Sequence, residues 1–525
     1  MEKRPGEGVS RRQFTRALVG VPLALRMQAA PRRGRIKIDT ERVISEIDPK
    51  IYGNFVEHLG RCIEGGIFDE GSALSDQRGF RRDVLAAVKE LNVTQLRWPG
   101  GNFVSNYHWQ DGIGPRDQRP RRLEMAWGTV ESNRFGTHEF LDYAEEIRTE
   151  PYFCVNLGTG TWTEAQQWVE YVNSKQDTAM TRLRRQNGRP DPWKVTYWGL
   201  GNEMDGPWQM GHKSAEDYGK FALEAAKLMK WTDPSIKLVA AGSSNYGSDW
   251  VGWNRTVLQY LKRQIDYLAI HLYVGNRDDN YYEFMTSSVD MADRIRKTEG
   301  VINAALSGEP RSKKIHIAFD EYNVWYRARG GDGLGKDQGR NILEERYNLE
   351  DALVIATFLN TFINQSHIVK IANMAQLVNV IAPIFTNASG MFRQTIYYPL
   401  QLFAKNVKGQ ALELFVDSPG YESKRFGLVP YLDASAAYDN GSLILNVVNR
   451  HLDQAIEVEL EAQDKRFSGT VEVAEVNGPA IKAQNDFGVT RVQTVTRSMT
   501  ADGRRMIYRF PAHSHTMLKV RLAEI

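Results

Sequence analysis

The chain has 525 residues, 42% of them hydrophobic and 25% charged, with a formal net charge of +3. This is the composition of an ordinary soluble globular protein, long enough for one large barrel plus a smaller domain. No acidic or basic tail marks it as a nucleic-acid binder, and two cysteines, Cys62 and Cys154, exclude a disulfide framework.

At the N-terminus, Ser10-Arg11-Arg12-Gln13-Phe14 precedes an apolar stretch from Ala17 to Leu25. Residues 1–30 therefore read as a twin-arginine-type signal, and the protein is expected to be exported to the periplasm or the extracellular space. The stretch is too short to span a bilayer, and no other segment is apolar enough to do so.

Gly34 to Ile44 reads as a strand. Eight short apolar runs follow: Ile51–Val56, Val93–Trp98, Tyr152–Leu157, Val195–Leu200, Lys237–Ala241, Tyr267–Leu272, Ile315–Phe319 and Val369–Ala375. The segments between them are long enough for helices, and Phe80 to Leu91 and Tyr218 to Met229 carry helical apolar spacing. Eight strand–helix units predict a (β/α)₈ TIM barrel over 47–400. After about residue 405 the pattern changes. Ile456 to Glu461 alternates apolar and charged residues, and Asn440-Gly441 and Asp502-Gly503 are turn signals. An antiparallel β-sandwich is expected from 34–46 together with 405–525.

In such a barrel, catalytic groups follow the C-terminal ends of the strands. Here these ends carry Glu57, Arg97 with Asn102, Asn202 with Glu203, His271 with Tyr273, Asp320 with Glu321, and Gln376. Trp127, Trp162, Trp208 and Trp325 lie on loops of the same face. Two glutamates, at the ends of the fourth and seventh runs, are the minimum for cutting a glycosidic bond. The other groups suit sugar hydroxyls and C–H faces. Two motifs carry no function. Gly330 to Lys336 has phosphate-loop spacing but shows Asp337 where Ser or Thr is needed. No His/Cys cluster has zinc spacing, so neither a metal nor a cofactor is expected.

The segments Ile51 to Cys62, Leu96 to Phe103, Ala126 to Gly136, Val155 to Gly160, Gly201 to His212 and the Glu321 motif resemble glycoside hydrolase family 51, the α-L-arabinofuranosidases. The resemblance implies a retaining, exo-acting enzyme on arabinan, arabinoxylan or their oligosaccharides. It implies Glu203 as acid/base and Glu321 as nucleophile. Glu57, Arg97, Asn102, Asn202, Tyr273 and Gln376 would hold the sugar or the nucleophile. Trp127 and Trp325 would serve as aromatic walls, and His271 would stand behind the carboxylates. It also implies a homo-oligomer, a hexamer. Tyr322 stands where Trp is common in the family, and Phe68 where Tyr is common. A β-xylosidase or endoglucanase on the same barrel is the alternative reading. A barrel that binds sugar without cutting it is the third.

Overall fold

A computed structural model describes residues 33–247, 249–328 and 342–525. The N-terminal segment read as a signal and the Gly330 to Lys336 motif lie outside the described residues. Eight parallel strands close into a barrel in chain order. They are β1 (Gly53–Phe55), β2 (Gln95–Trp98), β3 (Glu150–Val155), β4 (Tyr197–Leu200), β5 (Lys237–Ala240), β6 (Tyr267–Val274), β7 (His316–Val324) and β8 (Val369–Ala375). All eight runs form strands, and each is largely buried, as a sheet wrapped by helices requires. β1 is shorter than its run, since Pro49–Tyr52 forms a 3₁₀ turn. β7 is longer, since the chain stays extended through Glu321 to Val324.

The helices follow their apolar spacing. In Arg82–Leu91, the residues Val84, Leu85, Val88 and Leu91 face inward, and Asn92 ends the helix in the left-handed conformation. The helix Leu349–Asn364 is buried along nearly its whole length between the barrel and the C-terminal sheets.

The tail forms two packed sheets. The larger has seven strands, from Val43–Glu46 at one edge to Gln493–Gly503 at the other. The smaller runs in the order Phe415–Asp417, Gly34–Ile38, Ile456–Ala462, Arg505–Phe510. Ile36, Ile38, Leu445, Val458, Leu460 and Leu518 pack between them.

Three details differ from the sequence expectation. The segment Gly34 to Ile44 is two strands, one in each sheet. Gly34–Ile38 pairs parallel with Ile456–Ala462, so the sandwich is not wholly antiparallel. A strand arriving from the far end of the chain is not bound to a hairpin, and its direction is free. Asn440-Gly441 does turn a hairpin, with both residues left-handed (φ 48° and 81°). Asp502-Gly503 instead carries the chain from one sheet to the other. Among the described residues, no helix is long and apolar enough to cross a membrane.

Ile36 is fully buried between the two sheets. Ile36→Ala should destabilise the protein by about 2–5 kcal/mol, through lost burial plus a cavity. Chemical denaturation followed by tryptophan fluorescence measures this, and an unchanged midpoint would contradict the N-terminal strand's place in the sheet core.

Candidate active site

The polar residues that follow the barrel strands converge at one mouth. At the end of β2, Arg97 donates from Nη1 to Glu321 Oε1 at 2.7 Å and from Nη2 to Asn202 Oδ1 at 2.6 Å. Its guanidinium is 1% exposed and lies over the Phe55 ring. Two glycines then let the backbone pass close to the carboxylates. A Cβ on Gly101 would lie 3.0 Å from Glu321 Oε1, and one on Gly100 2.9 Å from Glu57 Cγ. Asn102 follows at the head of the 3₁₀ turn Asn102–Asn106.

Glu57, just past β1, is buried. It accepts from Phe103 N at 2.9 Å, Trp127 Nε1 at 3.2 Å and Gln376 Nε2 at 2.9 Å. These bonds link the ends of β1, β2 and β8. Trp127 is held by Glu124, which accepts from the backbone N–H groups of Ala126 and Trp127. Cys62 is buried and free, and its thiol donates to Gln376 Oε1 at 3.4 Å.

Past β4, Glu203 sits at φ 43°, a conformation that non-glycine residues rarely adopt. The flanking loop holds it there. Asp205 accepts from the backbone of Ser244 and Asn245, and Lys213 N donates to Met204 O at 3.0 Å. The Glu203 carboxylate faces His271 Nδ1 at 2.9 Å and accepts from Trp208 Nε1. His271 also reaches Glu321 Oε2 at 3.6 Å through Nδ1 and Asp320 Oδ1 at 3.1 Å through Nε2. Tyr273 donates to Glu321 Oε2 at 2.8 Å. The Tyr273 and Trp325 rings meet edge to face at 5.3 Å.

One carboxylate oxygen of Glu203, one ring nitrogen of His271 and one carboxylate oxygen of Glu321 lie within 4.8 Å of one another. These are also the residues whose donor atoms stand close enough to hold a metal ion. Arg97 already supplies a cation to Glu321 there.

Of the eleven residues singled out for the site, seven (Glu203, Glu321, Arg97, Asn202, His271, Tyr273 and Trp325) are linked in one set of contacts. Glu57, Trp127 and Gln376 form a second hydrogen-bonded group, and Asn102 follows Gly101, which lies between Glu57 and Glu321. Trp162 is in neither group and packs against Phe221. Sequence reasoning placed Asp320 at a strand end but gave it no role, and it missed Tyr152. Asp320 accepts from Tyr152 Oη at 2.8 Å and lies 3.6 Å from Arg97 Nε. Alternation along a strand would point Asp320 away from Glu321. The pairing of β7 shifts between Phe319 and Tyr322, and this bulge brings both acids into one buried network. The adjacent Asp-Glu pair at a strand end was the available signal.

Burial pushes Glu57 up to about 7, with the charge of Glu321 adding to it against the bond from Phe103 N. Burial also raises Glu321, opposed by the charges of His271 and Arg97. For Glu203 the burial effect is outweighed by His271, which holds the carboxyl below its usual range. His271 itself is raised well above 6.5. Burial opposes this, and Glu321, Asp320 and Glu203 overcome it. The imidazolium form of His271 is thus favoured one hydrogen bond from Glu203.

A raised carboxyl has a signed consequence for stability. Below about 4.5, Glu57 is protonated in both folded and unfolded chains. As pH rises towards about 7 the unfolded chain ionises first, and stability falls by about 3 kcal/mol. Glu57→Gln should remove that slope. Unfolding free energies measured from pH about 4.5 to about 7 should shift progressively in the variant's favour. A constant difference would contradict the assignment.

Comparison with known proteins agrees with this geometry. Residues 87–293 match the model of the α-L-arabinofuranosidase 1 domain, and residues 320–514 that of the α-L-arabinofuranosidase C-terminal domain. The intracellular exo-α-(1→5)-L-arabinofuranosidase 1 of Bacillus subtilis is 43% identical over 81% of this chain and 86% of its own. The intracellular exo-α-(1→5)-L-arabinofuranosidase of Halalkalibacterium halodurans is 42% identical over 82% and 87%. The solved structure of the thermostable family 51 enzyme from Thermotoga petrophila superposes with a TM-score of 0.85 at 39% identity, over 93% of this chain and all of that one. The expectation of an exported protein is corrected by these names. Both relatives are called intracellular, and paired arginines ahead of a short apolar stretch are too weak a pattern to stand against them. A barrel with paired glutamates at the C-terminal ends of its fourth and seventh strands, a C-terminal sheet domain and these relatives converge on one assignment: the chain belongs to the α-L-arabinofuranosidases of glycoside hydrolase family 51.

Proposed function

We propose that this glycoside hydrolase is a retaining, exo-acting α-L-arabinofuranosidase. It removes terminal non-reducing α-L-arabinofuranosyl units from arabinan, arabinoxylan or their oligosaccharides. The observation that carries the reading is the close approach of Glu203 and Glu321, with oxygens within 4.8 Å. Retaining enzymes hold their carboxyls about 5–5.5 Å apart, whereas inverting ones need about 6.5–9.5 Å to admit a water.

Glu321 is the nucleophile. Arg97 and Tyr273 donate to its ionised form and aim one oxygen at the anomeric carbon. As that C–O bond forms, the glycosidic C–O bond breaks and the departing oxygen takes a proton from Glu203. His271 supplies Glu203 with that proton across their 2.9 Å hydrogen bond. Water then attacks the glycosyl ester and gives a proton back to Glu203, and the ester bond to Glu321 breaks. Glu57, Asn102, Asn202 and Gln376 offer hydrogen bonds to the ring hydroxyls, and Trp127 and Trp325 offer apolar walls. Asp320 fixes the ring of His271 and shares the charge of Arg97.

The domain limits belong to the same proposal: a barrel over 47–400 and a sheet domain from 34–46 with 405–525. Work inside the cell, on α-(1→5)-linked oligosaccharides, is supported by the names of the two bacterial relatives. Homo-oligomeric assembly as a hexamer is supported by the family resemblance, and light scattering tests it.

Glu321→Ala should lower kcat by about three orders of magnitude or more on every substrate. Glu203→Ala should cost about 10²-fold on natural arabino-oligosaccharides and much less on aryl arabinofuranosides whose leaving group needs no proton. Equal loss on both substrate classes would overturn the roles. NMR of the first-formed product should show the α anomer, and the β anomer would overturn retention.

A further inference from the structure

A second group of buried charges lies beside the site. Glu345, Glu350 and Asp351 all have fully buried side chains, and Arg327 lies 3.0–3.5 Å from each. The mechanism uses none of them, yet they hold the loops after β6 and β7, the first of which follows Tyr273 and the second of which carries Trp325. Glu345 accepts from three successive backbone groups, Tyr326 N at 3.1 Å, Arg327 N at 2.9 Å and Ala328 N at 3.0 Å. These residues directly follow Trp325. Glu350 receives Asn276 Nδ2 at 3.3 Å from the loop after β6, and Tyr326 Oη at 3.5 Å from the loop after β7. Trp325 N donates to Val274 O at 2.8 Å, so the start of the loop after β7 is tied to the end of β6.

The closest cation to Glu350 comes from the C-terminal sheets. Residues 478–492, which connect the strands Arg466–Asn477 and Gln493–Gly503, lie against the barrel. Glu350 N donates to Ile481 O at 3.1 Å, and Asn485 Nδ2 donates to Arg393 O at 3.1 Å. Lys482 Nζ sits 2.7 Å from Glu350 Oε1 and 2.5 Å from Asp279 Oδ1. Asp279 lies further along the loop after β6, so one ammonium joins both ends of that loop to the buried cluster.

We infer that Lys482 is a positioning residue for the sugar pocket: through Glu350 it fixes the loop that follows Tyr273 and the loop that carries Trp325, so the C-terminal domain takes part in substrate binding. The inference rests on the proposed reading of those two residues as parts of the sugar site. Its physical basis is the cost of a buried carboxylate that loses its nearest cation. Without Lys482, Glu350 keeps only neutral donors and Arg327 at 3.5 Å, and the loops bonded to it lose that anchor. Lys482 is half exposed, so its loss opens no core cavity.

The test is steady-state kinetics on a linear arabino-oligosaccharide, with thermal melting followed in parallel. Lys482→Met should raise KM about five- to ten-fold while kcat stays within about two-fold, the size of coupling expected through shared partners. Lys482→Arg, which keeps the charge, should restore KM to within about two-fold of the parent. In a Trp325→Ala background, adding Lys482→Met should raise KM no further. Unchanged KM in Lys482→Met beside a raised KM in Trp325→Ala would overturn the inference while leaving the sugar site intact. Fully additive effects would overturn it too. Unchanged KM in Trp325→Ala itself would remove the sugar-site reading on which it stands.

Discussion

The buried ion network around Arg97 is the constraint that organises this molecule. Arg97, Asp320, Glu321 and His271 are nearly or wholly buried, and burying such charges singly would cost several kcal/mol each. Together they are tolerable, because each carboxylate meets a cation and a neutral donor. The network forms only if β2, β4, β6 and β7 bring their ends to one place. Barrel closure supplies that condition. Removing one partner would leave a buried charge unmatched, so structure and chemistry depend on the same contacts.

The network also divides the labour between two like groups. Glu321 is tied to a permanent cation, Arg97, whereas Glu203 is tied to His271, which can give up its proton. The surrounding carboxylates favour the imidazolium form of His271, and its charge holds Glu203 low. In the proposed mechanism, transfer across one hydrogen bond makes Glu203 an acid without disturbing Arg97. The left-handed backbone at Glu203 fits this picture: local strain is stored where the reacting group must point in one direction.

Much of this was legible in the sequence. Eight apolar runs ending in polar residues gave the barrel and the place of both glutamates, because strand period and burial act locally. The role of Asp320 was hidden, since it depends on a bulge that only the pairing of β7 with β6 and β8 creates. The parallel seat of Gly34–Ile38 was equally invisible, as it pairs residues some 420 positions apart. Lys482 was the least legible of all. It reads as one solvated lysine among many until the sheet connection that carries it is laid against Glu350. The N-terminal arginines misled because a short motif has no partner to check it, whereas Glu203 and Glu321 check each other.

The most direct test of the central claim is mass spectrometry of the protein quenched during turnover of an activated arabinofuranoside, with Glu203→Ala used to slow release. The account predicts one pentosyl unit carried as an ester on the fragment containing Glu321. A pentosyl label on any other carboxylate, or a product formed with inversion and no labelled protein, would contradict it.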